Sequence, residues 1–256
     1  MIDSIVLPIT EEQIDLEGID LMFEVTRFCN MLCPHCIRGD RQKLKIKKEF
    51  INAMLEQINY IGTIMFTGGE PGLASDLIKY TLEACQHYNI EVQNFWLATN
   101  GSIQKPSFFN IIKDWINYCS DNEITGLRVS IDNYHDKISK WAFEELSEEI
   151  KSYITDNFYL DLSGAPNNSE NLISEGRAKD NYYCDREIKH DIHLQNDGRI
   201  EGSLYINAKG YIITTCDISY KTMDNNQDFI ICHVTDNIKV KLAEWFNNHP
   251  EQIYKD

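Results

Sequence analysis

The chain has no long hydrophobic run, and this absence limits where it can act. No stretch approaches the roughly 18 consecutive apolar residues that a membrane-spanning helix needs. The opening residues MIDSIVLPIT also lack the basic region and apolar run of a secretory signal. We therefore expect a soluble, cytoplasmic protein that does not work in a membrane.

Positive charge is also scarce. The 256 residues include 24 Lys and Arg against 40 Asp and Glu, which gives a formal net charge of −16. So acidic a surface repels phosphate backbones, and we predict no nonspecific nucleic-acid binding. The run RGDRQKLKIKK, residues 38–48, is a local exception. We interpret it as a solvated loop and the start of a helix.

Strand and helix patterns alternate over the first two-thirds of the chain. Short apolar runs typical of strands recur about every 30 residues, at 21–25, 64–66, 95–98, 127–131 and 158–162. Helical patterns lie between them, at 48–58, from about Ser75 as N-cap, at 108–119, and through Trp141 and Leu146. The alternation predicts an α/β fold with a parallel sheet, built as a partial (β/α)6 TIM-like barrel.

The pattern changes after about residue 180. Turn signals at 196–198 and 207–210 predict hairpins, and a last helix is expected near 240–247. We therefore predict two parts, a barrel core over residues 1–180 and a small α+β extension with hairpins over residues 181–256.

Eight cysteines in a chain without a signal favour metal-binding, catalytic or buried thiols over disulfides. Cys29, Cys33 and Cys36 follow the first strand with the spacing CxxxCxxC, so a curled loop can bring three thiolates to one iron–sulfur centre. Cys85 and Cys119 lie on the apolar faces of their helices, and we predict that both are core residues.

The segment FEVTRFCNMLCPHC resembles the opening strand and cluster loop of the radical S-adenosylmethionine (SAM) superfamily. The resemblance implies that Cys29, Cys33 and Cys36 bind three irons of a 4Fe–4S cluster and that SAM occupies the fourth. In this family an electron from the cluster cleaves SAM to a 5′-deoxyadenosyl radical, which abstracts hydrogen from a substrate. His35 matches a position near the adenine; iron ligation by His35 is a weaker alternative.

A second similarity to the family is TGGEP, residues 67–71, at the end of the second strand. Two glycines permit close backbone approach, and a carboxylate can receive an ammonium group. The resemblance implies that this turn holds the SAM amino group, and a plain strand-to-helix turn is the alternative. The full set of residues carried over for SAM is Gly68, Gly69, Glu70, Pro71, His35, Asn100, Ser130, Asp132 and Arg177. Outside the TGGEP turn, ordinary loop residues remain the alternative.

Three cysteines, Cys184, Cys216 and Cys232, come after the barrel. The segment 210–216 resembles the hairpin of the SPASM/twitch branch, whose extension binds an auxiliary 4Fe–4S cluster. Its glycine-to-cysteine spacing is one residue longer than usual, and the dense cysteine run of full SPASM domains is absent. A second cluster would need an open iron or another ligand such as His190, Asp217 or His233. We favour packing without a second cluster, and zinc is a further alternative.

These features predict a radical SAM enzyme acting on a peptide or small molecule that the sequence does not identify. Its partners would be that substrate and an electron donor such as flavodoxin or ferredoxin. One alternative is an activating enzyme that installs a glycyl radical on a partner protein. The other is a non-catalytic metal-binding protein whose cysteines are structural.

Overall fold

A computed structural model describes residues 13–103, 105–121, 126–130, 172–181 and 186–254. The predicted helix through Trp141 and Leu146, the predicted strand at 158–162, Asp132 and Cys184 lie outside these residues. Eight described strands form one sheet in the order β4-β3-β2-β1-β6-β7-β8, with β5 paired to β6.

The first half of the sheet is parallel and alternates with helices, as predicted. Its strands are β1 (Ile14–Thr26), β2 (Ile58–Gly68), β3 (Glu91–Thr99) and β4 (Gly126–Val129), each parallel to the next. The helices α1 (Lys48–Leu55), α2 (Ser75–His87) and α3 (Pro106–Tyr118) connect them. This parallel-rich α/β architecture is consistent with a partial barrel, and it places the ends of all four strands at one edge.

Apolar burial holds the helices to the sheet. Trp115 of α3 is fully buried; its ring stacks on Phe95 at 5.2 Å and lies tilted against Phe66 at 5.4 Å. Cys85 and Cys119 are buried in the same core, which confirms their assignment as small apolar residues. The core therefore fixes the strands whose ends carry the site.

The C-terminal residues extend this sheet. They form α4 (Gly176–Asn181), β5 (Ile192–Leu194), β6 (Ile200–Ile206), β7 (Tyr211–Ile213), α5 (Tyr220–Asn225), β8 (Ile230–His233) and α6 (Ile238–Asn248). β5, β6 and β7 pair antiparallel in succession through the two predicted hairpin turns, and β7 pairs antiparallel with β8 across a longer connection that contains α5. β6 also pairs in parallel with β1, so β1 has a neighbour on each side. The division into parts at residue 180 stays a prediction.

Some predicted boundaries were wrong. The strands extend well beyond their apolar centres, because polar residues also pair at their ends. The first helix ends at Leu55 rather than Ile58, since Ile58 pairs with Ile14 as the start of β2. Ser75 is the first residue of α2 and not its N-cap, because a 3-10 turn, Pro71–Ala74, leads directly into the helix.

No helix among the described residues is long and apolar enough to cross a bilayer.

Candidate functional site

The three clustered cysteines lie in an irregular loop after β1, residues 28–40, which we call the cluster loop. All three are half-buried and free of disulfides. The Met31 amide points at the Cys29 sulfur, at 3.4 Å, and the Cys36 amide donates to the Cys33 carbonyl, at 3.2 Å. Burial raises the pKa of the Cys29 thiol. The loop has no helix or strand of its own, so other elements must fix its shape.

A buried ion-pair network holds the start of the cluster loop. Arg27 and Glu24 are both fully buried, and the Arg27 Nε donates to Glu24 at 2.6 Å. The Arg27 Nη1 also donates to both carboxylate oxygens of Asp224 in α5, at 2.9 and 3.0 Å. Burial alone would lower the pKa of Arg27, but these carboxylates raise it overall. Because each charge is paired, the network can remain in the core.

The same network reaches β6. The Tyr205 hydroxyl and the Ala208 amide both donate to Glu24, at 2.8 and 3.0 Å. Farther along the loop, the Arg38 guanidinium donates to the carbonyls of Cys216 and Ile218 and lies 4.9 Å above the Tyr205 ring. The C-terminal residues thus support the cluster loop at its beginning and near its end.

Arg177 fastens the loop from the other direction. Its guanidinium donates to the carbonyls of Cys33, at 2.9 Å, and Gly39, at 2.6 Å, and its amide donates to the Cys36 carbonyl, at 2.9 Å. The preceding Gly176 has φ +53°, and a Cβ there would lie 2.4 Å from the Ile37 carbonyl oxygen. Only glycine permits this close approach of α4 to the loop.

The TGGEP turn packs directly against the cluster loop. The Gly69 amide donates to the Thr26 carbonyl at 2.7 Å, and the Glu70 amide donates to the Phe28 carbonyl at 2.9 Å. A Cβ at Gly68 would lie 2.1 Å from the Thr26 oxygen, and one at Gly69 would lie 2.4 Å from the Phe28 oxygen. Both glycines are therefore required by the contact between the two backbones.

The Glu70 carboxylate is fully buried and joins two strand ends. It accepts hydrogen bonds from the Gly72 amide at 2.9 Å, the Thr99 hydroxyl at 2.7 Å and the Asn100 amide at 2.8 Å. Gly72 belongs to the 3-10 turn that begins at Pro71. Glu70 thus stabilises the turn after β2 and the residue that follows β3.

Asn100 links this turn to the cysteines. Its side-chain amide donates to the side-chain Oδ1 of Asn30 at 3.0 Å and points at the Cys29 sulfur from 3.8 Å. Ser130 follows β4, and its amide donates to the Thr99 carbonyl at 2.8 Å. His35 lies in the turn between Cys33 and Cys36. The structure therefore places the described candidates on the cluster loop, on α4 beside it, or after β2, β3 and β4.

The three thiols are the type of donor that binds iron–sulfur clusters. Among the described residues, no three His, Cys, Asp or Glu side chains are arranged to hold one metal ion. A zinc ion requires its thiolates at about 2.3 Å and usually four ligands, which demands tight convergence. A 4Fe–4S cluster demands less, because each thiolate binds a different iron. The donor set is thus chemically suited to such a cluster.

The C-terminal cysteines have a different environment. Cys232 is buried in the main core, whereas Cys216 packs against a separate apolar cluster around Tyr205 and Ile218. Burial raises the pKa of Cys216 to about 11 and that of Cys232 to about 12. The proposed extra ligands have other contacts: His190 with Thr214, His233 with Thr235, and Asp217 with Arg186. Because Cys184 lies outside the described residues, the expectation of packing without a second cluster stays a prediction.

Sequence reasoning missed the Glu24–Arg27–Asp224 network. Glu24 appeared only as one polar position in an apolar strand, and its spacing to Arg27 carries no distinct signal. Asp224 is 197 residues from Arg27, and no local pattern could connect them.

Comparisons with known proteins agree with this geometry. The family model of the Radical SAM superfamily matches residues 23–171, more than half of the chain. No curated protein sequence matches the chain.

Two solved structures share the fold at low identity. They are native anSMEcpe with bound AdoMet and either the Cp18Cys or the Kp18Cys peptide. Their TM-scores are 0.55 and 0.56 at 12% identity, over 91% of this chain and 81% and 82% of theirs. Streptococcus suis SuiB bound to precursor peptide SuiA has a TM-score of 0.41 at 14% identity, over 91% of this chain and 65% of that one. The family implies a 4Fe–4S cluster and SAM as cofactors, and the chain belongs to the Radical SAM superfamily of enzymes.

Proposed function

We propose that Cys29, Cys33 and Cys36 hold a 4Fe–4S cluster, and that the chain uses it with SAM to abstract hydrogen from a peptide or small molecule. The observation that carries this proposal is the anchored loop: its three cysteines form no disulfide, and the loop is held by Arg27 on one side and Arg177 on the other. When bound, the cluster supplies the electron that cleaves SAM to a 5′-deoxyadenosyl radical.

The chain's own contribution is to fix the loop and exclude water behind it. Arg177 donates hydrogen bonds to the carbonyls of Cys33 and Gly39, which limits the movement of Cys36 between them. Arg27 and Glu24 are fully buried at the base of the loop, so water does not reach that side. Preorganisation of this kind lowers the cost of holding reactive groups in place.

We propose that the turn at Gly68–Pro71 receives the SAM amino group. Because the Glu70 carboxylate is enclosed and already accepts three hydrogen bonds, it would act by holding this turn and Asn100 in place. Arg177 likewise donates mainly to the loop, so we propose that it affects the SAM carboxylate through the loop. His35 near the adenine, and Ser130 and Asp132 near the ribose, complete the proposed SAM site.

A peptide or small-molecule substrate is supported by the fold shared with anSMEcpe, whose structures contain AdoMet and a peptide. We propose a flavodoxin or ferredoxin as electron donor and a cytoplasmic location. None of the seven described cysteines forms a disulfide, in keeping with a reducing compartment. The strongly acidic composition supports the absence of nonspecific nucleic-acid binding.

Iron and sulfide analysis of anaerobically reconstituted protein tests the cluster. We expect about four of each per chain, the content of one 4Fe–4S cluster, and loss of all four in the Cys29→Ala/Cys33→Ala/Cys36→Ala variant. The matched control, Cys85→Ala/Cys119→Ala, should keep its iron. A triple variant that keeps the full complement would show that the cluster lies elsewhere. Residual iron that Cys216→Ala removes would instead demonstrate an auxiliary cluster.

SAM titration of variants with intact clusters tests the turn. Glu70→Ala should weaken SAM binding about ten- to a hundredfold, because it removes the carboxylate whose charge-assisted hydrogen bonds hold the turn and Asn100 in place. Glu70→Gln keeps one acceptor oxygen and should weaken it less. Equal affinity in wild type and Glu70→Ala would remove this turn from the proposed site.

A further inference from the structure

Five exposed cations follow the cluster loop: Arg41, Lys43, Lys45, Lys47 and Lys48, which we call the basic stripe. Their exposure follows from the pairing of this segment's backbone with the end of β1. The Gln42 amide donates to the Arg27 carbonyl, the Arg27 amide donates to the Leu44 carbonyl, and the Ile46 amide donates to the Val25 carbonyl. Residues 42–46 therefore run extended along the end of β1.

An extended segment directs alternate side chains to opposite faces. Ile46 is 2% exposed and faces the core, while Gln42 accepts from the Arg27 guanidinium. The intervening Lys43 and Lys45 face solvent, as do Arg41 and Lys47 beyond them. The pairing with β1 thus sorts the apolar and cationic residues of this segment onto two faces.

The basic stripe contrasts with the charge of the whole chain. Residues 41–48 contain five cations and no acid, in a protein whose 40 acidic residues outnumber 24 basic ones. Neighbouring carboxylates contact two of the cations: Asp76 lies 3.2 Å from Lys45, and Glu49 lies 4.0 Å from Lys47. These exposed pairs are weak in water, so the stripe retains positive potential.

The stripe begins at the cluster loop itself. The Arg41 guanidinium donates to the Cys29 carbonyl at 3.3 Å and lies 5.6 Å from the centre of the Phe28 ring. The cysteines are only half-buried, and Leu32 between two of them is 62% exposed. A partner seated on the stripe would therefore approach the proposed cluster closely.

We propose that the basic stripe is the docking surface for an acidic one-electron donor protein. The proposal rests on the cluster assigned above: the reduced donor loses one electron, and the cluster gains it. An acidic enzyme repels an acidic donor everywhere except at such a patch. Charge complementarity would both speed the encounter and orient the donor toward the cluster.

The test compares two charge-reversal variants of the reconstituted holoenzyme. The first is Lys43→Glu/Lys45→Glu/Lys47→Glu, and the control is Lys105→Glu/Lys189→Glu/Lys241→Glu, which makes the same change in charge elsewhere. Cluster reduction is followed by absorbance with reduced flavodoxin as protein donor, and separately with photoreduced deazaflavin as a small donor. Binding of labelled flavodoxin is titrated in parallel at low and high salt, with and without the cluster.

We expect the stripe variant to accept electrons from flavodoxin at least tenfold more slowly at low salt, with little remaining salt dependence. Its reduction by deazaflavin should match wild type, and the control variant should behave as wild type in both assays. Wild-type rates in the stripe variant, an equal loss in the control, or no flavodoxin binding to wild type would each overturn the proposal. Iron content and SAM cleavage with deazaflavin report separately on the proposed function.

Discussion

The cluster loop and the C-terminal half of the sheet are held together by opposite means. The loop has no regular structure and depends on the buried ion pairs of Arg27 and on backbone carbonyls that accept hydrogen bonds from Arg38 and Arg177. The strands β6 to β8 instead depend on apolar side chains such as Leu204, Ile212 and Phe246, all fully buried. A loop that must expose thiols to a cofactor cannot bury them in an apolar core. Ion pairs and hydrogen bonds therefore stabilise it instead.

Removing the charge that anchors the loop should have the largest effect. Arg27→Met leaves Glu24 buried without its cation, and we expect the free energy of unfolding to fall by about 3–5 kcal/mol. Chemical denaturation of the metal-free protein measures this. Asp224 is 19% exposed on its side chain, so Asp224→Asn should cost much less. Equal losses in the two variants would contradict the central role of the Glu24–Arg27 pair.

One substitution made in both regions sharpens the comparison. Leu204→Ala removes a fully buried side chain from β6 and should cost about 2–5 kcal/mol through lost burial and a cavity. Leu32→Ala, in the cluster loop, alters a side chain that is 62% exposed and should change stability by no more than about 0.5 kcal/mol. Thermal or urea unfolding of the two variants measures the difference. A large loss at Leu32 would show that apolar packing also holds the loop.

The smallest effect concerns the buried thiols and depends on pH. Burial raises the pKa of Cys85, so above about pH 8.5 the unfolded chain releases this proton while the native state keeps it. Stability is then lost as pH rises, by about 1.4 kcal/mol per pH unit for this thiol. Unfolding measured from neutral to alkaline pH should show a shallower loss in Cys85→Ala than in wild type.

Leu82→Ala on the same helix is the matched control. It also truncates the core but removes no titrating group, so its stability should stay parallel to that of wild type across the pH range. If Cys85→Ala also runs parallel to wild type, the thiol does not contribute to the alkaline loss.

The sequence predicted what depends on local periodicity. Within the described residues, the order of strands and helices, both hairpins and the core positions of Cys85 and Cys119 follow from apolar spacing and turn residues, and the structure confirms them. The spacing of Cys29, Cys33 and Cys36 likewise indicated one loop. The roles proposed for individual SAM-binding residues stay predictions.

Long-range contacts were beyond the sequence. The contact of Arg27 with Asp224 and the pairing of β1 with β6 depend on how distant segments meet, and neither leaves a local pattern. Glu70 illustrates the same difficulty, since its motif indicated a ligand contact while the structure shows three bonds within the protein. That the turn at the end of β2 belongs to the SAM site stays a prediction, and the motif did not show how the carboxylate is used.

The parallel pairing of β1 with β6 has a consequence for biosynthesis. A ribosome releases the chain from its N-terminus, yet the strand that leads into the cysteines gains its second neighbour only when residues 201–206 emerge. Asp224, which completes the contact with Arg27, emerges later still. Closing such distant contacts is slow, because chain entropy opposes them. The cysteines are therefore translated well before the residues that immobilise their loop, so cofactor insertion must wait until Asp224 has emerged.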